Sequence, residues 1–336
     1  MGIKGFSVFL KHIGCEWEET SLAAFTGKTM AIDGIMYLYQ TKLSPRHPTR
    51  LFIEFITKLK SVNIKPVFVM DGKYVHEKEQ EQAYRAQKRR NLQEVVDKLS
   101  LQLEEYKLKK EVGKDLSKLV NSNINLFINK LSKTLNTHAL SLHISKLLRE
   151  VSPIPKHVKE IFLNVCDAFG IPVIWAKSDG EMLCATLNKL GKVDVVFSHD
   201  SDVFPAGAVR VIKQIDGMVA KTIKLSTILS NIGLPFSSFK DFCIMCGTDF
   251  NKRIPGLGPV TAYNLIKTHK TIEEIAANTE YNIDSINYIR VREIYSQEDY
   301  KEDIVFLNPD KTKIKNLLVN FNLQSMFNNL EKTWAL

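Results

Sequence analysis

Asp200 and Asp202 stand two residues apart at the end of the stretch VDVVFSHDSD, residues 193–202. Val193, Val195, Val196 and Phe197 have the length and composition of a buried parallel strand that stops at Ser198. Carboxylates at i, i+2 just past a strand end can aim at one point in the crevice where open α/β sheets bind ligands. Two anions held so close repel, and a cation between them relieves the repulsion. Taken alone, the stretch reads more readily as a solvated acidic turn.

The arrangement recurs. Thr29–Ile32 runs into Asp33, Pro66–Met70 into Asp71, and Ile171–Trp175 leads through Ala176-Lys177-Ser178 to Asp179 and Glu181. A further acid, Asp249, lies in Gly247-Thr-Asp-Phe250 after an apolar helical pattern, Phe239–Cys246. Any one of these acids could cap the helix that follows it. Caps are as often Ser, Thr or Asn, so a succession of acids points instead to a shared site. No Arg or Lys is paired with them in the same turns, which calls for divalent cations. Hard oxygen donors select Mg²⁺, with Mn²⁺ as a substitute.

The elements that must position these acids are strands alternating with helical patterns. That order predicts an α/β fold with a mostly parallel sheet, whose carboxyl ends open on one edge. Before the first acid, Phe6, Phe9, Leu10 and Ile13 mark one face of a short helix ended by Gly14. After Asp33 an apolar helix carries Tyr37 and Tyr39. Further on, Val209–Lys213 reads as another strand and Asp216-Gly217 as a hairpin turn. Residues 300–336 read as a terminal helical segment packing back on the body.

Between Asp71 and Asp179 lies a long helical stretch of different composition. Lys78, Arg85, Lys88, Arg89 and Arg90 fall in its first part, with Arg85, Lys88 and Arg89 on one helical face. This is either a solvated face or a polyanion contact. Leu92, Val95, Val96, Leu99 and Leu103 add an apolar stripe, and Pro153 and Pro155 break the pattern before a helix near His157–Phe169. The stretch reads as an inserted helical lid. Later, Ile254-Pro-Gly-Leu-Gly-Pro259 precedes a helix over Thr261–Lys267 and the cluster Lys267-Thr-His-Lys270. Glycines allow close backbone approach and a helix start offers N–H donors, so this is a candidate phosphate-gripping turn or a plain tight turn.

The 336 residues are 44% hydrophobic, enough for a sizeable core, and the formal net charge of +9 suits a polyanionic partner as well as a merely soluble basic protein. No apolar run is long enough to span a bilayer and no signal peptide is visible, so an intracellular location, nuclear or at a viral replication site, and no membrane partner are expected. Phe6 replaces the Ser or Thr of a myristoylation signal. The five cysteines read as reduced thiols, and Cys243-x-x-Cys246, without a second pair nearby, reads as core packing, not zinc.

Taken in order, Met1-Gly-Ile-Lys-Gly, Ala31-Ile-Asp-Gly with Tyr39-Gln40, PVFVMDGK at 66–73, Ser178-Asp-Gly-Glu181, His199-Asp-Ser-Asp202 and Gly247-Thr-Asp-Phe…Gly256-Leu-Gly-Pro259 resemble the flap endonuclease and XPG-type 5′ nucleases, across nearly the whole chain. The resemblance implies a PIN-like sheet with an inserted helical arch at about 77–165 within a nuclease core of 1–240. It further implies a helix–two-turn–helix region at 241–290 and a terminal segment at 291–336. It implies a monomeric, structure-specific DNA endonuclease and exonuclease of replication, repair or recombination, cutting branched or nicked DNA at single-strand to duplex junctions.

Its carboxylate set maps onto Asp33, Asp71, Asp179, Glu181, Asp200, Asp202 and Asp249, holding two Mg²⁺ that activate a water and stabilise the leaving 3′ oxygen. Asp202 and Asp249 are expected to serve the metal farther from Asp179. Lys78 and Arg85 match residues that neutralise the scissile phosphate, and Tyr39 an aromatic stacking beside the cut. Gly2 is placed near the active site, and Lys88, Arg89, Gly256, Gly258, Lys267 and Lys270 on the DNA, with a K⁺ at the helix–two-turn–helix. Three departures stand out. Asp179 replaces the usual Glu, which alters metal preference. The arch is longer than in cellular members, with the surplus at about 105–150. Gln324–Phe327 is a poor fragment of a sliding-clamp peptide, so clamp tethering is not expected. Two other classes remain: a catalytically silent branched-DNA binder and a PIN-like ribonuclease.

Overall fold

The computed structural model describes residues 2–73, 76–129, 132–283, 286–296 and 299–335. Its centre is a seven-stranded sheet formed by β1 (Glu18–Ser21), β2 (Thr29–Asp33), β3 (Lys65–Met70), β4 (Val173–Trp175), β5 (Val195–Phe197), β6 (Arg210–Asp216) and β7 (Val219–Lys224), in the order β1-β7-β6-β5-β2-β3-β4. β6, β5, β2, β3 and β4 run parallel, and the β6–β7 hairpin and β1 are antiparallel. In β2, Ala31 lies between Val67 and Val196 and Ile32 between Phe68 and Phe197, so the central strands are apolar on both faces. Met30–Ile32, Val67–Met70 and Val195–Phe197 are buried. β1 was not visible in the sequence, because EETS is a largely exposed edge strand without an apolar pattern.

The chain forms two compact units. The first comprises 1–41, 46–78 and 156–336 and holds the sheet. Its largest core packs the helix Phe6–His12 and the helix Gly180–Lys189 with the helix Phe236–Cys246. Phe9 meets Phe242 with the rings tilted by 41° and their centroids 4.5 Å apart. All five cysteines are buried free thiols, as core packing requires. The expected terminal segment becomes two helices, Lys311–Asn320 and Phe327–Trp334, and the Trp334 indole donates to Thr57 Oγ1 at 3.2 Å.

The second unit comprises 42–45 and 79–155 and is helical. Its main helix, Glu79–Lys109, is rich in strong helix formers, with Glu79 and Glu81 in its first turn and Lys107 and Lys109 in its last, complementing the helix dipole. Val96, Leu99, Leu103 and Tyr106 form its buried stripe, packed with Leu116, Val120, Phe127, Leu140 and Ile144 from the helices that follow. The side-chain oxygen of Gln102, on the main helix, accepts from the amides of Asp115 (3.0 Å) and Leu116 (2.9 Å), capping the helix Lys114–Ser122.

Candidate active site

Most of the acids lie just past strand ends, and backbone amides hold several of them. Asp33 closes β2, and its Oδ1 accepts from Met36 N at 2.9 Å while Oδ2 accepts from the Ser198 hydroxyl at 3.4 Å. Asp71 follows β3 and accepts from Gly180 N at 2.9 Å. Asp179 caps the helix that Gly180 begins, and Asp200 caps a short 3-10 turn by accepting from Asp202 N at 2.9 Å. Asp202 Oδ2 lies 3.4 Å from the Asp249 amide. Capping and site-building were alternatives in the sequence; in the structure the same carboxylates do both.

The parallel chains stay clasped beyond β3 and β4. Ala176 N donates to Met70 O, Gly72 N to Ser178 O at 2.8 Å and Lys73 N to Lys177 O at 3.0 Å. A Cβ on Gly72 would lie 1.8 Å from Ala176 O, so only glycine allows this approach. The clasp sets Asp71 beside Asp179.

Gly2 occupies the other side of the site. Ile3 N donates to Ser201 Oγ at 2.8 Å and Lys4 N to Gly247 O at 2.9 Å, which draws the N-terminal segment onto the loops carrying Asp200 and Asp249. A Cβ on Gly2 would sit 2.0 Å from Asp200 Oδ1, and its φ of +78° independently favours glycine.

The electrostatics follow from burial. Asp33, Asp179, Asp200, Asp202 and Asp249 are all buried, whereas Asp71 lies at the open side. Desolvation pushes Asp33 up to about 7, with Asp71, Asp200 and Asp179 adding repulsion. Glu181 is raised by burial, then by Asp200 and Asp179; Asp202 by burial, then by Asp200 and Asp249. Asp200 is raised by burial and Asp249, and Asp71 by desolvation and Asp179. The repulsions link the whole set: Asp179 acts on Asp33 and Asp71, Asp249 on Asp200 and Asp202, and both Asp33 and Glu181 feel Asp200 as well as Asp179.

A protein cation enters from outside the turns that carry the acids. Lys78, from the segment after β3, forms an ion pair with Asp179 and lies 3.6 Å from Glu181 Oε2. Burial works against its charge, but Glu181 and Asp179 outweigh that and raise its pKa. Its ammonium also lies 4.9 Å from the Phe250 ring centroid. Behind it, Glu77 pairs with Arg290 at 2.5 Å, fixing the approach of this segment.

Among the described residues, no three acidic, histidine or cysteine side chains close on one point as a finished coordination shell. The donors nevertheless suit hard divalent cations. Glu181 Oε2 and Asp200 Oδ2 are buried oxygens without a hydrogen-bond partner, which protein groups leave unsatisfied at a cost.

The remaining predicted residues are spread over both units. Tyr39 is partly exposed on the helix Gly34–Leu43, and the neighbouring Gln40 amide lies 2.8 Å from His199 Nε2. Arg85, Lys88 and Arg89 lie on the main helix of the second unit, where Arg85 pairs with Glu81 at 3.0 Å and the other two are exposed. Gly256 and Gly258 have open space where a Cβ would project, ahead of the helix Pro259–His269. Lys267 packs over Tyr263, and Lys270 Nζ donates to Lys267 O at 2.6 Å. Sequence reasoning missed Ser198, Phe250's contact with Lys78, the Glu77–Arg290 pair and Tyr295, whose hydroxyl lies 3.2 Å from Asp202 Oδ1. Tyr295 is distant from Asp202 in the chain, and no local pattern marks it.

Comparison with known proteins agrees with this construction. Residues 1–92 match the XPG N-terminal domain and residues 170–249 the XPG I-region. The RAD2-like endonuclease 095R of Frog virus 3 (isolate Goorha) is 30% identical over 309 residues, covering 89% of this chain and 84% of that protein. Flap endonuclease 1 of Glycine max is 30% identical over 353 residues, covering 96% and 83%. Among solved structures, the catalytic core of Rad2 in complex with DNA substrate superposes with a TM-score of 0.66 at 18% identity over 99% of this chain and 100% of that one. Flap endonuclease-1 from Methanococcus jannaschii gives 0.61 at 22% identity over 95% of each chain. The fold is that of the PIN-like nucleases. The chain belongs to the XPG and flap endonuclease family of structure-specific nucleases.

Proposed function

We propose that this protein is a Mg²⁺-dependent 5′ nuclease that cuts branched DNA where a single strand meets duplex. The observation that carries the reading is the set of buried, mutually repelling carboxylates, whose repulsion Lys78 offsets only in part, with Glu181 Oε2 and Asp200 Oδ2 lacking a hydrogen-bond partner. Asp33, Asp71, Asp179 and Glu181 would hold one ion, and Asp200, Asp202 and Asp249 the other. Held there, Mg²⁺ would lower the pKa of a water so that, after losing a proton, it attacks phosphorus as hydroxide, and would supply a counter-charge for the departing 3′ oxygen.

The protein's own groups do the rest. Lys78 is held beside the acids by Phe250 and the Glu77–Arg290 pair, where its charge offsets that developing on the phosphate. Backbone amides hold two of the carboxylates, Glu181 N that of Asp179 and Asp202 N that of Asp200, so little reorganisation of these two is needed on binding. The exposed Gly256–Gly258 turn, Lys267 and Lys270 would contact duplex phosphates, and Lys88 and Arg89 the single strand. These contacts read shape, not base sequence. Rad2 in complex with DNA substrate and GEN-1 binding potassium share the fold, which supports DNA as the substrate and K⁺ as a further ligand.

The test is a 5′-labelled flap in DNA and in RNA, incubated with Mg²⁺ or EDTA, for wild type and Asp200→Ala. Metal-dependent cleavage of the DNA flap by wild type alone is expected. Cleavage that survives EDTA, or equal activity in both proteins, sinks the reading.

A further inference from the structure

The hydroxyl of Tyr295 lies within hydrogen-bonding reach of the Thr248 hydroxyl and of Asp202. Asn251 Nδ2 donates to Ile244 O (2.8 Å) and Lys252 O (3.0 Å), so its amide orientation is fixed and its Oδ1 must accept. The donor to that oxygen is the Thr248 hydroxyl at 2.7 Å, and Thr248 Oγ1 in turn accepts from Phe250 N at 3.1 Å. Thr248 therefore has no proton for Tyr295. The phenol proton goes to Asp202 Oδ1 at 3.2 Å. The other oxygen, Oδ2, faces the Asp249 amide at 3.4 Å.

Tyr295 is itself held. It is 5% exposed, ends the helix Tyr288–Ile294, and meets the Phe250 ring edge-on with centroids 5.7 Å apart. We propose that Tyr295 is a positioning residue for the carboxylate site: it fixes the rotation of Asp202 so that Oδ2 is presented to a divalent cation shared with Asp249. This rests on the two-metal reading above. A hydrogen bond from an outer group to a ligating carboxylate orients it, and losing such a partner typically costs about 10- to 100-fold in metal affinity or activity.

The experiment measures Mn²⁺ binding to the metal-free full-length chain by electron paramagnetic resonance, together with the thermal midpoint in EDTA, for wild type, Tyr295→Phe and Asp202→Asn. Tyr295→Phe keeps the ring against Phe250 and removes only the hydroxyl. It should weaken one Mn²⁺ binding step about tenfold, leave the other step in place and leave the EDTA midpoint unchanged. Asp202→Asn should weaken the same step further. If Asp202→Asn acts and Tyr295→Phe coincides with wild type, the positioning role is overturned while the metal site stands. If Tyr295→Phe lowers the EDTA midpoint and weakens both steps alike, the role is structural and the proposal falls. If Asp202→Asn leaves the isotherm unmoved, the two-metal reading falls and takes this inference with it.

Discussion

The two units bury their interiors for opposite ends. The helical unit buries Val96, Leu99, Leu103, Phe127, Leu140 and Ile144 against one another, and every such contact favours the fold. The sheet unit buries Asp33, Asp200 and Asp202 at its strand ends, where burial and mutual repulsion both work against the charged forms. Stability is given up at the second place and gained at the first. Substitutions in the two regions should therefore report on different properties.

The largest effect is expected at the acids. Asp200→Asn should lower Mg²⁺-dependent flap cleavage by about a thousandfold or more, read by single-turnover kinetics. The thermal midpoint of the metal-free protein should stay level or rise. A fall in that midpoint would break the comparison. Phe127→Ala should do the reverse, destabilising the helical unit by about 3–5 kcal/mol through loss of a fully buried ring, measured by urea unfolding. A smaller effect concerns pH. Asp33 binds its proton more tightly folded, near 7, than at its ordinary 3.8, so its stabilising contribution is complete at low pH and is lost as pH rises through the folded value. In EDTA the thermal midpoint should fall from about pH 5 to about pH 8, Asp33→Asn should flatten that slope, and added Mg²⁺ should oppose it. The smallest effect is at Gln102→Ala, which removes two backbone hydrogen bonds and should cost about 1–2 kcal/mol in the same urea titration.

The central strands and their acids were legible because parallel strands buried on both faces read as apolar runs, and each run ends in a carboxylate. The hairpin after Asp216 and the helices at Phe236–Cys246 and Pro259–His269 were legible for similar reasons of pattern and punctuation. β1 was not, since its contribution is backbone pairing with β7 and its side chains are mostly exposed. Lys78 was identified as a cation for substrate, but its attachment to Asp179 depends on where the segment after β3 turns back. Tyr295 and Arg290 were invisible for a related reason: both act on groups far away in the chain, through a helix whose own sequence shows only packing.

The amide clasp between Gly72-Lys73 and Lys177-Ser178 closes the base of everything that lies between them. Because the ends are tied there, Asp71 and Asp179 keep their spacing whatever the length of the intervening chain. Leu116, Phe127 and Leu140 of that intervening chain answer to the helical unit's own core, so a change among them bears on that core and not on the clasp that spaces the two acids.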